Sequence, residues 1–250
     1  MKLALLSDIH ANLQALQACL DHAQRQGATQ YALLGDLVGY GGDPAPVMDR
    51  VVQLASEGAV VLQGNHDEMA LHPPAQSDRL GEATAGWTHD QLTTEHRQFL
   101  TALPLTARLQ SCLLVHASAD APEKWRYVED ERSAGASLDA ATADPQVRYV
   151  FGGHVHRQTL YYKGSGRGLM AFAPTPGVPI PTPAHRQWIA TVGSVGQPRD
   201  GQPSAMYALF DLAQARLSFH RVPYDHMAAA AAVRRAGLPE YFAQRLEEGR

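Results

Sequence analysis

The sequence predicts an α/β fold that is built on a largely parallel β-sheet. Over the first two-thirds of the 250 residues, short apolar runs alternate with segments in which apolar residues recur every three or four positions. The runs are typical of strands buried on both faces, and the periodic segments are typical of helices packed on a sheet. Hydrophobic residues make up 45% of the chain and charged residues 18%, as expected of a globular protein with a sizeable core.

The predicted elements follow one another closely. Leu13, Leu16 and Leu20 share one face of the first helix, and Gly27 is placed to end it. Asp43 and the proline after it are typical of the start of a second helix. In chain order, we predict a strand at 3–6, a helix at 11–26, a strand at 31–34, a helix between 43 and 58, a strand at 59–62, a helix at 94–103, and strands at 113–115 and 147–151.

The pattern changes after about residue 159. Five short strand-like segments separated by turn residues predict an antiparallel portion, at 160–163, 169–172, 188–192, 205–211 and 216–222. Five prolines in 173–187 predict a stiff surface loop. Residues 226–249 are rich in alanine and predict helix, broken near 237–239. Neither an internal repeat nor a long linker divides the sequence, so we expect a single domain over 1–250.

Composition excludes several classes of protein. The net charge is −4 and the 21 lysines and arginines form no basic run, which argues against binding of long nucleic acids. The apolar run at 3–6 is too short for a signal peptide, and no run approaches the length of a membrane span. We therefore expect a cytoplasmic protein without a membrane partner. Cys19 and Cys112 lie in apolar patterns and fit buried hydrophobic positions.

Polar side chains follow five of the predicted strands directly. Because ligands of open α/β sheets bind beyond the carboxyl ends of the strands, these side chains are expected to converge on one crevice. They are Asp8 and His10 after the first strand, Asp36 after the second, Asn65, His66 and Asp67 after the third, His116 after the next, and His154 and His156 after the last.

Carboxylate and imidazole groups in this number predict a metal site. They suit Mn, Fe or Zn, and no thiolate accompanies them. An aspartate that offers oxygens to two ions can bridge them about 3.5–4 Å apart, and two such ions clamp a phosphoryl group and lower the pKa of a bound water. Each of these motifs alone is weakly specific, but the ordered set at strand ends favours a two-metal centre over structural histidines.

The order and spacing of these motifs resemble the calcineurin-like metallophosphoesterase superfamily over about residues 3–157. The segments 35–41 and 193–199 are similar to its bacterial branch that is related to diadenosine tetraphosphatases and small phosphodiesterases. The resemblance implies a four-layer α/β/β/α sandwich with mixed sheets and two divalent ions, which could be Mn, Fe, Zn or Ni, with Mn favoured. The branch often has Asn-Pro before the Gly-Ser at 193–194, whereas this chain has Thr191 and Val192.

The resemblance also implies a role for each motif residue. Asp36 would bridge the two ions, and His66 would face the phosphate and protonate the leaving oxygen. The remaining ligands would divide between the ions, with Asp8, His10 and His156 on one and Asn65, His116 and His154 on the other.

Ser/Thr protein phosphatases of the superfamily carry an aspartate and an arginine that 35–41 lacks, which places protein phosphatase activity in doubt. Arg199 is a candidate replacement for the phosphate contact, or else a surface arginine after a turn. Tyr40 could stack on a nucleobase or anchor its loop. Asp67 could orient His66 or cap a helix from residue 68 onward, and the cap is favoured. Four residues could shape a substrate lid: Arg157, Arg167, His185 and Arg186.

The predicted function is hydrolysis of a small phosphorylated substrate by a dinuclear metal centre. The branch favours a nucleotide, either diadenosine tetraphosphate or a phosphodiester. The alternatives are a Ser/Thr-type phosphoprotein phosphatase and a non-catalytic binding module on the same fold. Presence of every expected ligand and of His66 argues against the binding module. The oligomeric state stays open, a homo-oligomer included.

Overall fold

The computed structural model of the chain describes residues 1–164 and 168–250. Within them, two mixed six-stranded sheets stack face to face, and helices flank the pair on both sides. This arrangement confirms the predicted α/β class and the α/β/β/α layering.

The strands alternate with helices over the first half of the chain and dominate the second half. The strands are β1 (Lys2–Leu6), β2 (Gln30–Leu33), β3 (Val60–Val61), β4 (Thr106–Leu109), β5 (Cys112–Val115), β6 (Tyr149–Gly152), β7 (Gln158–Lys163), β8 (Leu169–Phe172), β9 (Ile180–Pro181), β10 (Trp188–Val192), β11 (Ser204–Asp211) and β12 (Arg216–Pro223). The helices are α1 (Leu13–Arg25), α2 (Pro44–Ser56), α3 (Asn65–Leu71), α4 (Leu80–Ala83), α5 (Ala85–Gln91), α6 (Thr94–Thr101), α7 (Glu131–Ala141), α8 (His226–Arg235) and α9 (Glu240–Glu248), with a 3₁₀ turn at Pro122–Lys124.

The five strands expected to share one sheet divide between two. The first sheet runs in the order β3-β2-β1-β11-β12-β9, and the second in the order β4-β5-β6-β10-β7-β8. β1, β2 and β3 are mutually parallel in the first, and β5 and β6 are parallel in the second. The mixed sheets of the predicted four-layer sandwich are therefore confirmed, although the alternation alone indicated a largely parallel sheet. The carboxyl ends of these five strands meet at one end of the stacked pair.

Alternation along β1 shows why the layers form. Leu3 and Leu5 point between the sheets, whereas Ala4 and Leu6 point outward against α1 and α2, so both faces of the strand are buried. On the second sheet, Val150 of β6 points outward against α7 in the same manner.

The late strands are not a unit of their own. β11 and β12 complete the first sheet beside β1, and β10 pairs in parallel with β6 and antiparallel with β7. The expected antiparallel pairing occurs, but it extends both sheets. The proline-rich loop contains the short strand β9, which pairs with β12. Neither β9 nor β4, which pairs with β5, was predicted.

The helical pair α8 and α9 packs beside α1 and covers part of the loop after β2. Phe242 of α9 contacts the Tyr40 ring, with ring centroids 5.2 Å apart. Among the helices of the described ranges, none has both the length and the apolar character that crossing a bilayer requires.

Candidate metal centre

The loops that follow β1 and β2 run side by side. The Asp8 N–H donates to the Gly35 carbonyl at 3.0 Å, and the His10 N–H donates to the Asp36 carbonyl at 2.9 Å. This pairing brings two of the predicted motifs to one edge and fixes the spacing of their side chains.

The backbone at this edge is left-handed at an unusual number of positions. Residues other than glycine seldom adopt positive φ, because each such residue costs about 1–2 kcal/mol. Such strain concentrates at functional sites, where the surrounding structure holds it. Five predicted ligands adopt it: Asp8 (φ 54°), His10 (49°), Asp36 (52°), His154 (67°) and His156 (55°).

Asp8, His10 and His156 form a first buried cluster. The Nδ1–H groups of His10 and His156 donate to the carbonyls of Val38 (3.3 Å) and Gln197 (2.7 Å). Both rings therefore present an Nε2 lone pair, and these atoms lie 3.1 Å apart. His156 Nε2 also lies 3.1 Å from Asp8 Oδ1. Ligands of a transition-metal ion bound at about 2.1 Å are about 3.0–3.4 Å apart, so this spacing fits a cation at their centre.

Asp36, His116 and His154 form a second buried cluster. His116 Nδ1–H donates to the Leu34 carbonyl at 2.8 Å, and its Nε2 lies 3.2 Å from Asn65 Oδ1. Neither ring nitrogen of His154 has a hydrogen-bond partner among the described residues, although both are buried. A buried imidazole without a partner is costly, and a metal ion would satisfy it.

Asp36 lies between the two clusters. Its Oδ2 is 3.8 Å from His10 Nε2 and 3.4 Å from His116 Nε2. Its Oδ1 accepts a hydrogen bond from the His66 N–H at 2.8 Å. The carboxylate is thus placed to share an oxygen between two ions.

The electrostatics of the centre favour added positive charge. Burial opposes ionisation of Asp36, but the neighbouring His116 and His66 hold its pKa well below the ordinary value. Burial alone would lower the pKa of His116, and the Asp36 carboxylate instead raises it to about 9. Burial and the charge of His116 lower the pKa of His154 to about 4. A site that keeps its carboxylates ionised and some imidazoles neutral suits divalent cations.

His66 borders both clusters without joining either. Its ring centroid lies 5.1 Å from that of His10 and 4.4 Å from that of Tyr40. Burial lowers the pKa of His66. Gly39 (φ 90°) faces the ring so closely that a Cβ there would lie 2.8 Å from His66 Nδ1, so only glycine fits.

The sequence of this chain matches a family of metal-dependent phosphoesterases. Residues 1–215 match the calcineurin-like phosphoesterase superfamily domain. The chain belongs to this superfamily. The membership predicted from the motifs is confirmed, and α8 and α9 lie beyond the matched residues.

Three known proteins align with this chain along almost its whole length. An uncharacterised protein of Methanocaldococcus jannaschii is 30% identical over 257 residues, covering 99% of this chain and 98% of that protein. A metallophosphoesterase from Sphaerobacter thermophilus has a solved structure with a TM-score of 0.88 and 33% identity, covering 100% of this chain and 99% of the other. A hypothetical protein of Pyrococcus horikoshii, 19% identical with a TM-score of 0.78 and coverage of 100% and 98%, shares the fold.

Asp67 caps α3 from within the helix, whereas the sequence predicted that Asp67 would precede a helix starting at residue 68. α3 begins at Asn65, so Asp67 lies within its first turn and not before it. Its Oδ2 accepts from the Gly64 N–H at 2.8 Å, and its Oδ1 accepts from the N–H groups of Leu37 (2.8 Å) and Val38 (3.2 Å). The carboxylate therefore ties the loop after β2 to the start of α3. In the described part of the chain, this carboxylate forms no hydrogen bond with the His66 ring, so it does not orient that ring.

The segment 193–199 holds the first cluster, a role that the sequence did not reveal. Ser194 Oγ donates to the Asp8 carbonyl at 2.8 Å, and the Gly196 N–H donates to the same oxygen at 2.9 Å. The Gln197 carbonyl fixes the His156 ring. Gly196 lies against Ile9, and a Cβ there would lie 2.5 Å from the Ile9 carbonyl carbon. The motif thus positions two ligand candidates, Asp8 and His156, as well as carrying Arg199.

An aromatic wall on the far side of the centre was also missed. The Tyr127 ring stacks on His154 with centroids 4.1 Å apart, and the Trp125 ring lies edge-on to His116 at 5.8 Å. The Trp125 indole N–H donates to Glu68 at 2.9 Å. These residues follow β5 in a loop without sequence periodicity, which is why no pattern pointed to them.

The residues considered for a substrate lid do not gather at the centre. His185 and Arg186 precede β10, which runs parallel to β6, so they lie at the opposite end of the strands from His154. Exposed Arg157 directly follows the ligand candidate His156. Arg167 lies outside the described residues.

Proposed function

We propose that this chain is a metal-dependent phosphohydrolase in which two divalent ions share Asp36. The observation that carries the proposal is the place of Asp36 Oδ2 between His10 Nε2 and His116 Nε2. A carboxylate between two buried nitrogen-rich clusters is the arrangement of two-metal hydrolases. Nitrogen and oxygen donors without thiolates suit Mn, Fe, Zn or Ni, and the resemblance to the superfamily favours Mn.

In the proposed assignment, Asp8, His10 and His156 hold one ion, and Asn65, His116 and His154 hold the other. Two ions at these clusters would polarise the phosphate and lower the pKa of a water for attack. The chain contributes the fixed geometry. Backbone carbonyls orient His10, His116 and His156, so that each presents Nε2 without a change of rotamer.

His66 is the proposed general acid. Its ring has no hydrogen-bond acceptor or donor among the described residues, and its backbone is held by Asp36. Gly39 and Tyr40 confine the ring on its other sides. A phosphate dianion beside the ring would favour the imidazolium form, which can then donate its proton to the leaving oxygen.

We propose a nucleotide as the substrate, either a dinucleoside polyphosphate such as diadenosine tetraphosphate or a phosphodiester. Tyr127 supports this choice, because one face of its ring stacks on His154 while 53% of the residue stays exposed for a second stacked ring. A cavity of about 310 Å³ adjoins it, lined by Ser118, Asp120 and Arg126 among others. Small, partly polar cavities beside the reacting centre are typical of ligand sites.

Neither a protein phosphatase nor a nuclease is favoured. The Tyr40 ring contacts the rings of His10 and His66. It lies in the segment where protein phosphatases of the superfamily carry a further aspartate and arginine, and this chain lacks both. The net charge of −4 and the absence of a basic run argue against a nuclease that acts on long nucleic acids.

The test is a substrate screen with the metal-reconstituted protein. Mono- and bis-p-nitrophenyl phosphate, 2′,3′-cyclic nucleotides and diadenosine tetraphosphate are compared with Mn, Fe, Zn and Mg. We expect turnover with Mn and loss of about 10²–10⁴-fold in kcat for His66→Gln, with metal content unchanged. His185→Gln is the matched control, because this exposed histidine lies at the opposite end of the sheets.

Different failures of the screen have different meanings. Absence of turnover on every substrate with every metal would contradict hydrolase function. Loss of bound metal in His66→Gln would move His66 into the ligand set. Equal activity on simple aryl phosphates and on nucleotides would leave the hydrolase and remove the nucleotide preference.

A further inference from the structure

Arg245 lies on α9, beyond the residues that match the superfamily domain, yet beside the metal centre. Tyr40 forms the connection, since its ring contacts His66 at 4.4 Å and Phe242 at 5.2 Å. Arg245 is one helical turn after Phe242, so the two side chains share a face of α9. The charge of Arg245 acts on the Tyr40 hydroxyl, whose pKa burial raises and this arginine lowers.

The charge of Arg199 acts on the same tyrosine and, like that of Arg245, opposes the rise in the pKa of Tyr40 that burial causes. Its Nε and Nη2 groups donate to Gln197 Oε1 at 3.2 and 2.8 Å, which holds the guanidinium beside the loop that fixes His156. The two chain segments are joined next to these arginines, where the Gly201 N–H donates to the Gly249 carbonyl at 2.8 Å. The half-buried arginines are therefore held near each other by backbone contacts.

Neither arginine has a side-chain carboxylate partner among the described residues. Arg245 Nε donates to the Arg250 carbonyl at 2.6 Å, and the guanidinium lies 5.4 Å from the Tyr241 ring. Within residues 1–164 and 168–250, neither terminal amino group has an acceptor. Burial and the charge of Arg199 lower the pKa of Arg245. Two neighbouring cations repel each other unless an anion lies between them.

We propose that Arg199 and Arg245 together bind a second phosphate group of the substrate, next to the phosphate that is cleaved at the metal centre. This inference rests on the proposed function. Guanidinium groups bind phosphate oxygens through paired N–H groups, so two of them suit a dianionic phosphate. The Tyr40 ring connects His66 with the face of α9 that carries Phe242 and Arg245. The preferred substrates would then carry at least two linked phosphates, and α9 would supply the selectivity.

The experiment compares two ligands that differ by one phosphate. Adenosine 5′-monophosphate and 5′-diphosphate compete against hydrolysis of p-nitrophenyl phosphate by the Mn-loaded protein, and their binding is also followed by thermal shift. We expect the diphosphate to inhibit more strongly in the wild type. Arg245→Gln is expected to weaken the diphosphate about tenfold or more, with little effect on the monophosphate. Arg245→Lys is expected to retain part of the difference.

Arg235→Gln is the control, because it removes the same charge from an exposed position on α8. It is expected to behave as the wild type. If Arg245→Gln discriminates between the two ligands as the wild type does, or weakens both equally, the proposed phosphate site is wrong. If the wild type hydrolyses no phosphate ester at all, the proposed function fails first, and the two failures are therefore distinguishable.

Discussion

A methyl group at position 153 is expected to disable the metal centre. Gly153 lies against the residues that follow β1, and a Cβ there would lie 2.5 Å from Ser7 Cβ and overlap Ser7 Oγ and Asp8 Oδ2. Normal contact between such atoms is about 3.5 Å, so Gly153→Ala must displace Asp8 by about 1 Å. Asp8 Oδ2 also accepts from the His154 N–H at 2.9 Å, so a ligand candidate of the second cluster moves as well.

The displacement is large on the scale that metal sites tolerate. Ligand distances in a working site vary by only about 0.2 Å, so a shift of about 1 Å removes Asp8 from coordination. We expect at least a 10–100-fold loss of affinity for the ion at the first cluster and about 10²-fold lower turnover. Overpacking also lowers the free energy of unfolding by about 1–3 kcal/mol.

Gly152→Ala is the matched control. A Cβ at this neighbouring position would lie 3.1 Å from the Ala117 carbonyl oxygen and 3.3 Å from that of His116, which shifts of a few tenths of an ångström can relieve. Both variants are loaded with Mn and desalted, and metal per chain, turnover of bis-p-nitrophenyl phosphate and urea unfolding are measured. Retention of two ions and full turnover by Gly153→Ala, or equal damage in both variants, would refute the reasoning.

Three further outcomes are expected. Asp36→Asn removes the shared charge, so at least one ion per chain and nearly all turnover should be lost; unchanged metal content would show that Asp36 does not bridge. A chelator should lower the melting temperature of the metal-loaded wild type, because ions that bind only the folded state stabilise it, whereas an unchanged temperature would contradict metal held at the buried clusters. Burial lowers the pKa of His220 to about 4. Between about pH 6.5 and pH 4 the unfolded chain therefore binds a proton at this histidine and the folded chain does not, so stability falls as the pH drops through this range. His220→Phe should gain about 1–2 kcal/mol relative to the wild type between pH 7.5 and pH 5, after allowance for partial exposure, in urea unfolding; a pH-independent difference would exclude this account.

The sequence was sufficient to predict the fold class and the group of residues that the structure brings together. Five apolar runs end in polar ligand candidates, and the carboxyl ends of these five strands lie at one end of the stacked sheets. That is why Asp8, Asp36 and His116 were correctly expected to lie close together, although their strands divide between two sheets.

The surroundings of that group depend on tertiary contacts between distant segments. The division into two sheets depends on β11 entering beside β1, a pairing between segments about 200 residues apart that no local pattern specifies. The hydrogen bond from Ser194 to the Asp8 carbonyl, the stacking of Tyr127 on His154 and the hydrogen bond from Gly201 to Gly249 likewise join distant segments. Periodicity reports which face of an element is buried, whereas these contacts depend on how finished elements pack.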